Sequence, residues 1–397
     1  MAGAGAAVGA AALPAESAAS AKATASVKPA LKDSKLDAMD VTALQAEMAA
    51  GRLSAQALVK HCLQRIQAID QRGPRLNAVI QLNPDAQALA QALDAERRGT
   101  RGQPGRVRGP LHGIPVLLKD NIATADQMAT TAGSLALAGL RAQADAPIVT
   151  RLREAGAVIL GKTNLSEWAN MRSTRSSSGW SSRGGQTRNP HVLNRSPSGS
   201  SSGSGAAAAA GLAPLTIGTE TDGSICSPAN VNGVVGFKPT VGLVSRSGII
   251  PISASQDTAG PMVRHVRDAA LLLQALAGPD ARDAATAAQP ATLPDFIAAL
   301  KPGALQGARI GVVRHAVPTQ PQVAALFEEA LTVLRAQGAV LVDPVEIPNR
   351  DKLRSPEFAV LLHELKPGLA DYLKAYQPDA PVKTLADIIA WNKANAP

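Results

Sequence analysis

"SPSGSSSGSGAAAAAGLAPLTIGTETDGSICSP", residues 196–228, decides how this chain is organised. Serine and glycine alternate at first. An alanine run (206–210), a short apolar stretch and a second Gly-Ser corner follow. A flexible Gly/Ser tether leads into a domain boundary. Here buried-looking segments follow at once, and composition does not change on either side. The stretch therefore reads as the interior of one folded unit, with the alanines helical and "PLTIGTE" a strand.

Outward from it, helical and strand patterns alternate. Asp40 or Thr42 is placed to cap one helix and Ser54 the next. Leu58, Cys62, Ile66 and Ile69 then recur at helical spacing, so Cys62 reads as a core residue. Residues 111–122, "LHGIPVLLKDNI", read as a buried strand ending at Lys119. Residues 146–169 read as a helix and then a strand. Residues 176–190 have no period and read as a long loop, and 232–251 as strand and turn. "ARIGVVRHA" (308–316) is a strand, and 323–347 an amphipathic helix leading into another. This alternation predicts an α/β fold. Residues 1–39 read as a disordered leader or the remnant of an export signal, and 40–397 as a single domain. The protein is thus expected to be either periplasmic or secreted, or cytoplasmic.

Composition removes several function classes. The chain has 397 residues, 45% hydrophobic but only 2% aromatic, which leaves little for stacking on nucleic acid bases. The net charge of +9 is dispersed, and its densest run, "ERRGTRGQPGRVR" (96–108), reads as a solvated basic loop. No nucleic-acid partner is expected. Cys62 and Cys226 are the only cysteines, and the six histidines are scattered without HExxH or CxxC spacing. No metal or other cofactor is expected. No apolar run reaches the roughly 18 residues of a membrane span. The Ala, Arg and Pro content suits a bacterial protein from a GC-rich gene.

The serines compete as nucleophiles. "GSSSG" (199–203) matches G-x-S-x-G with Ser201 at its centre, but that elbow needs a preceding strand. "RNPHVLNRSPS" carries two prolines and is a poor one. Neither S-x-x-K nor a phosphate-binding G-x-x-x-x-G-K-[ST] occurs. A nucleophile activated by a distant lysine remains. "TETDGSICSP" puts Ser224 in a tight turn after an apolar strand. Consecutive N–H groups of Thr221, Asp222, Gly223 and Ser224 could line an oxyanion-binding nest, with Gly223 allowing close approach. Burial at a strand end would lower the pKa of Lys119 and make it a usable base.

These residues and their neighbours resemble the amidase signature family of serine hydrolases. The motifs are "GPLHGIPVLLKDNI" (109–122), "MATTAGS" (128–134), "GAVILGKTNLSEWA" (156–169), the long run 199–251 and "SQDTAGPM" (255–262). The resemblance implies an α/β/α sandwich, with a large mixed, twisted sheet covered by helices on both faces. It implies a Ser-Ser-Lys triad of Lys119, Ser200 and Ser224, with a cis peptide bond before the bridging Ser200. It implies hydrolysis of a carboxamide through an acyl-enzyme, with release of ammonia. Family members acting on a free α-carboxylate often carry Arg two residues after the nucleophile. Cys226 stands there, which argues against a tRNA-dependent glutaminase. The chain looks closest to bacterial peptide amidases. The alternatives are a general aliphatic or aryl amidase, and a subunit that is non-catalytic or transfers ammonia. The expected partner is a small-molecule or peptide amide, and oligomeric state is not legible. Thr131, Gly133 and Ser134 resemble a loop near the site, or an ordinary turn. Ser198 and Ser202 replace glycines of the signature. Relatives of this kind run further, so C-terminal elements of the sheet and pocket are expected to be lacking.

Overall fold

Residues 34–100, 103–317 and 319–395 are described by the computed structural model. Asp40 caps helix α1 (Val41–Ala49), accepting from the Ala43 N–H at 2.7 Å. Ser54 caps α2 (Ala55–Arg65) in the same way through Ala57. Leu58, Cys62 and Ile66 are buried, as their spacing requires. Ile69 is only half-buried, because beyond Arg65 the helix widens into a π-helical turn, Ile66–Gln71, and the 3.6-residue stripe is lost. A helical turn, Lys35–Ala38, precedes the boundary read at residue 40. Its Asp37 carboxylate pairs with Arg65 and His61, each at 2.7 Å. Residues 1–33 of the expected leader lie outside the described residues.

Among the described residues the main sheet has six strands: β1 (Val79–Leu82), β2 (Pro115–Lys119), β3 (Val158–Thr163), β4 (Leu215–Glu220), β5 (Val235–Gly236) and β6 (Thr258–Val263). Their order is β1-β3-β2-β4-β6-β5. β2 is parallel to β3 and β4, while β1, β5 and β6 pair antiparallel to their neighbours. The sheet is therefore mixed. Every residue of β2, β3, β4 and β6 is buried. Successive strand side chains point to opposite faces, so both faces are covered. The covering helices include α3 (Ala86–Arg98), α4 (Pro147–Glu154), α5 (Ser202–Ala209) and, after α6 (Cys226–Val231), α7 (Val266–Leu276). This is the α/β sandwich that the resemblance implies.

The Gly/Ser/Ala tract is α5 itself, buried from Ser202 to Ala208. Its small side chains let the backbone lie against the sheet. A Cβ on Gly203 would stand 2.3 Å from the Ala78 carbonyl oxygen and 2.4 Å from that of Asn164. β6 carries Pro261 opposite Ile217 of β4, an unusual residue for a strand flanked on both sides.

The later strands do not join this sheet. β7 (Arg309–Gly311) and β8 (Val340–Val342) pair with each other in parallel, across α8 (Pro321–Ala336). Helix α9 (Arg354–Tyr376) returns to the main core through Leu369, Tyr372, Leu373 and Tyr376, and α10 (Leu385–Ala394) follows. The basic run is more structured than a solvated loop. Arg97 and Arg98 close α3, Arg108 forks onto Glu96, and Arg97 reaches Gln45 and the His112 carbonyl; residues 101–102 lie outside the described residues. Among the described residues no helix is long and apolar enough to cross a membrane.

Candidate active site

Lys119 is the last residue of β2 and has no exposed surface. Its Nζ lies 2.7 Å from Ser200 Oγ, 2.9 Å from Thr219 Oγ1 and 3.2 Å from the Thr219 carbonyl. Burial pushes its pKa down to about 7, against the upward pull of Asp257 and Glu220. A lysine so placed is substantially neutral near pH 7 and has a lone pair to use as a base.

Ser200 follows a cis peptide bond from Gly199, as the resemblance implies. The three adjacent serines turn their hydroxyls to different places. Ser200 meets Lys119. Ser201 donates to the Thr219 carbonyl at 3.0 Å and accepts from the Thr219 N–H at 3.1 Å, so it pins the tract to β4. Ser202 donates to the Ser198 carbonyl at 2.6 Å. The elbow reading of Ser201 fails on this geometry, because its hydroxyl is fully buried and occupied at both ends. Ser198, at a glycine position of the signature, has φ +59°, and its hydroxyl meets that of Ser227 at 2.7 Å.

The Ser224 corner leaves the end of β4. Gly223 has φ +80°, the left-handed region that glycine enters without cost. The Ser201 N–H donates to the Ser224 carbonyl at 3.1 Å, which ties the two halves of the tract together beside Ser200. Glu220 accepts the N–H groups of Ile225 and Cys226, at 2.6 and 2.8 Å, and so holds the start of α6. Among the described residues no carbonyl or side chain takes the N–H groups of Asp222, Gly223 or Ser224. Thr221 is fixed by its hydroxyl, which donates to Asp257. Asp257 in turn accepts from Ile252 and Ser253, while its burial pushes its pKa up.

A cavity of about 540 Å³ opens against this cluster. Asn121, Ser200, Thr219 and Thr221 form one part of its wall. Ile249, Ile250 and Pro251, with Tyr372 and Tyr376 of α9, add apolar surface, and Arg246, Arg282, Asp283 and Asp371 add charged groups. Ser224 is not itself a wall residue, though it is joined through Ser201 to the segment that is.

Several contributors carried no readable signal. Thr219 and Asn121 look like ordinary residues of a strand and its exit, although a threonine and a glutamate inside "LTIGTE" hinted that this strand end is polar. Thr131 and Gly133 do not reach the cavity wall. They bind Asp120, the residue after Lys119, together with Arg183 at 3.1 Å. A second buried lysine, Lys162 of β3, bonds the Ile122 carbonyl and Thr130 Oγ1, and burial holds its pKa down to about 8. Lys162 thus clamps the loop between Ile122 and Thr130. Among the described residues no group of three His, Cys, Asp or Glu side chains could hold a metal ion.

Residues 57–395 match the family described as Amidase. The chain belongs to the amidase family. It is 57% identical to native peptide amidase from Stenotrophomonas maltophilia, whose X-ray structure it matches with a TM-score of 0.86, over 90% of this chain and 72% of that one. It is 45% identical over 351 residues to a probable amidase from Arabidopsis thaliana, covering 86% of this chain and 65% of that protein. It is also 45% identical over 317 residues to a glutamyl-tRNA(Gln) amidotransferase subunit from Chloroflexus aurantiacus, covering 79% and 62%. The chain therefore spans less than two thirds of the length of these two curated relatives.

Proposed function

We propose that this amidase-family chain is a serine hydrolase of carboxamides, with Lys119 as base, Ser200 as proton bridge and Ser224 as nucleophile. The observation that carries the reading is the 2.7 Å contact between the buried Lys119 Nζ and Ser200 Oγ. A serine hydroxyl becomes nucleophilic only when its proton has somewhere to go. Neutral Lys119 takes the Ser200 proton while Ser200 takes that of Ser224. Ser224 Oγ bonds to the amide carbon, and the carbonyl pair moves onto oxygen, toward the N–H groups of Thr221, Asp222, Gly223 and Ser224. Collapse breaks the C–N bond, and the proton returns through Ser200 to the nitrogen, which leaves as ammonia. Water then repeats the sequence on the acyl-enzyme and frees the acid.

The substrate reading is the C-terminal carboxamide of a peptide. Its support is the likeness to a peptide amidase at 57% identity and a cavity whose largest walls are apolar. The likeness to an amidotransferase component favours a glutamine-like substrate instead. Cys226, exposed where an arginine would clamp a free carboxylate, argues the other way. Ammonia release from an amidated dipeptide, beside free glutamine, tests both. The expected result is turnover of the dipeptide amide that Ser224→Ala abolishes. Turnover that survives Ser224→Ala, or turnover of glutamine alone, would refute the corresponding half.

A further inference from the structure

We infer that Asp371 is a specificity-determining residue that receives a cationic group of the substrate, so that peptide amides with a free α-ammonium or a basic side chain are preferred to neutral ones; the inference rests on the carboxamide hydrolase reading above. Gly368, Asp371, Tyr372 and Ala375 of α9 all line the cavity that Ser200 lines. They stand three and four residues apart, so they share one helix face, and that face is turned to the cavity. Tyr372 is buried on it, whereas Asp371 is exposed. A helical side chain leans over the turn N-terminal to its own Cα. For Asp371 that turn holds Gly368, which has no side chain and lies so close to Pro251, another wall residue, that a Cβ would stand 3.1 Å from its Cγ. The carboxylate therefore has open room on the cavity side of α9.

The other charges of the wall are already answered. Arg246 forks onto both oxygens of Asp283, at 2.9 and 2.5 Å. Arg282 donates to Asp280 at 3.1 Å, and its charge acts on Tyr376, more than a helical turn beyond Asp371. Asp257 accepts from Thr221, Ile252 and Ser253. Among the described residues Asp371 has no hydrogen-bond or ion-pair partner. The uncompensated charge of the cavity wall is thus negative. A largely apolar pocket takes its specificity from its few polar groups. A peptide amide has no C-terminal carboxylate, so its α-ammonium or a Lys or Arg side chain is the charge that complements this wall.

The test measures kcat/KM for ammonia release from leucyl-leucinamide, N-acetyl-leucyl-leucinamide and N-acetyl-lysyl-leucinamide, in the parent, Asp371→Asn and Asp371→Lys. Against the neutral second compound, the first reads the α-ammonium and the third the side chain as the source of charge. The parent is expected to favour at least one cationic amide roughly twofold to fivefold, through KM. The preference should vanish in Asp371→Asn, reverse in Asp371→Lys and shrink at high ionic strength. A parent with no preference, or a preference that survives in Asp371→Asn, overturns the inference and leaves the amidase reading standing. An equal loss for all three amides in Asp371→Asn also overturns it, because Asp371 would then act on the fold alone. A parent that releases ammonia from none of them brings down the amidase reading, and this inference with it.

Discussion

The proposed chemistry turns on one lysine. Lys119 is fully buried, and burial lowers its pKa to about 7 from 10.5. As a base it must be neutral, so kcat/KM for an amide is expected to rise through about pH 7 and level off above it, in a pH–rate profile. The same shift has a consequence for stability. Between the folded value near 7 and the unfolded value near 10.5, the unfolded chain binds one more proton than the native chain. Unfolding free energy therefore rises with pH in that window. Urea titrations of the parent and Lys119→Met should show the parent gaining on the variant by up to about 1.4 kcal/mol per pH unit from roughly pH 7 to 10. A constant difference would mean that Lys119 is not desolvated. The lysine was legible in the sequence because an apolar strand ended on it, and Ser224 because a Gly-Ser corner followed another. Ser200 was not. Three neighbouring serines are alike in composition, and only the folded backbone sends one hydroxyl to Lys119, one to Thr219 and one to Ser198.

At the scale of elements, helix α5 is the piece on which the site hangs. It carries the segment after Ser200 and packs against β2, β3, β4 and β6. Its serines, glycines and alanines look like a linker by composition, yet they are what a helix needs to lie against a sheet this closely. Gly203→Ala would drive a methyl group to 2.3 Å from a backbone oxygen, with a second carbonyl at 2.4 Å. The expected cost is about 3 kcal/mol, measured by urea denaturation, with loss of amide turnover. A neutral result would mean that α5 does not lie as described. Strand β6 stayed hidden for the opposite reason. Pro261 and Gly260 both argue against an interior strand, and tertiary pairing with β4 and β5 overrides them.

For the whole molecule, the parallel core β3-β2-β4 was legible from the alternation of helices and buried strands. What periodicity could not give was membership. The strands after residue 300 have the same apolar pattern, but they form a separate pair, because a strand's pattern records burial and not the identity of its neighbour. The two cysteines report on the arrangement as a whole. Cys62 lies in the core, where burial pushes its thiol up to about 12, while Cys226 is exposed. A thiol reagent should count one cysteine in the native protein and two after denaturation. Two fast thiols in the native state would contradict the packing of α2 against the sheet. The most direct test of the central claim is the site of covalent capture. The purified chain would be treated with a fluorophosphonate and the modified peptide mapped by mass spectrometry. A single adduct on Ser224 is expected, formed faster as pH rises through about 7 and abolished in Lys119→Met. An adduct on Ser200 or Ser201, or undiminished labelling without Lys119, would contradict it.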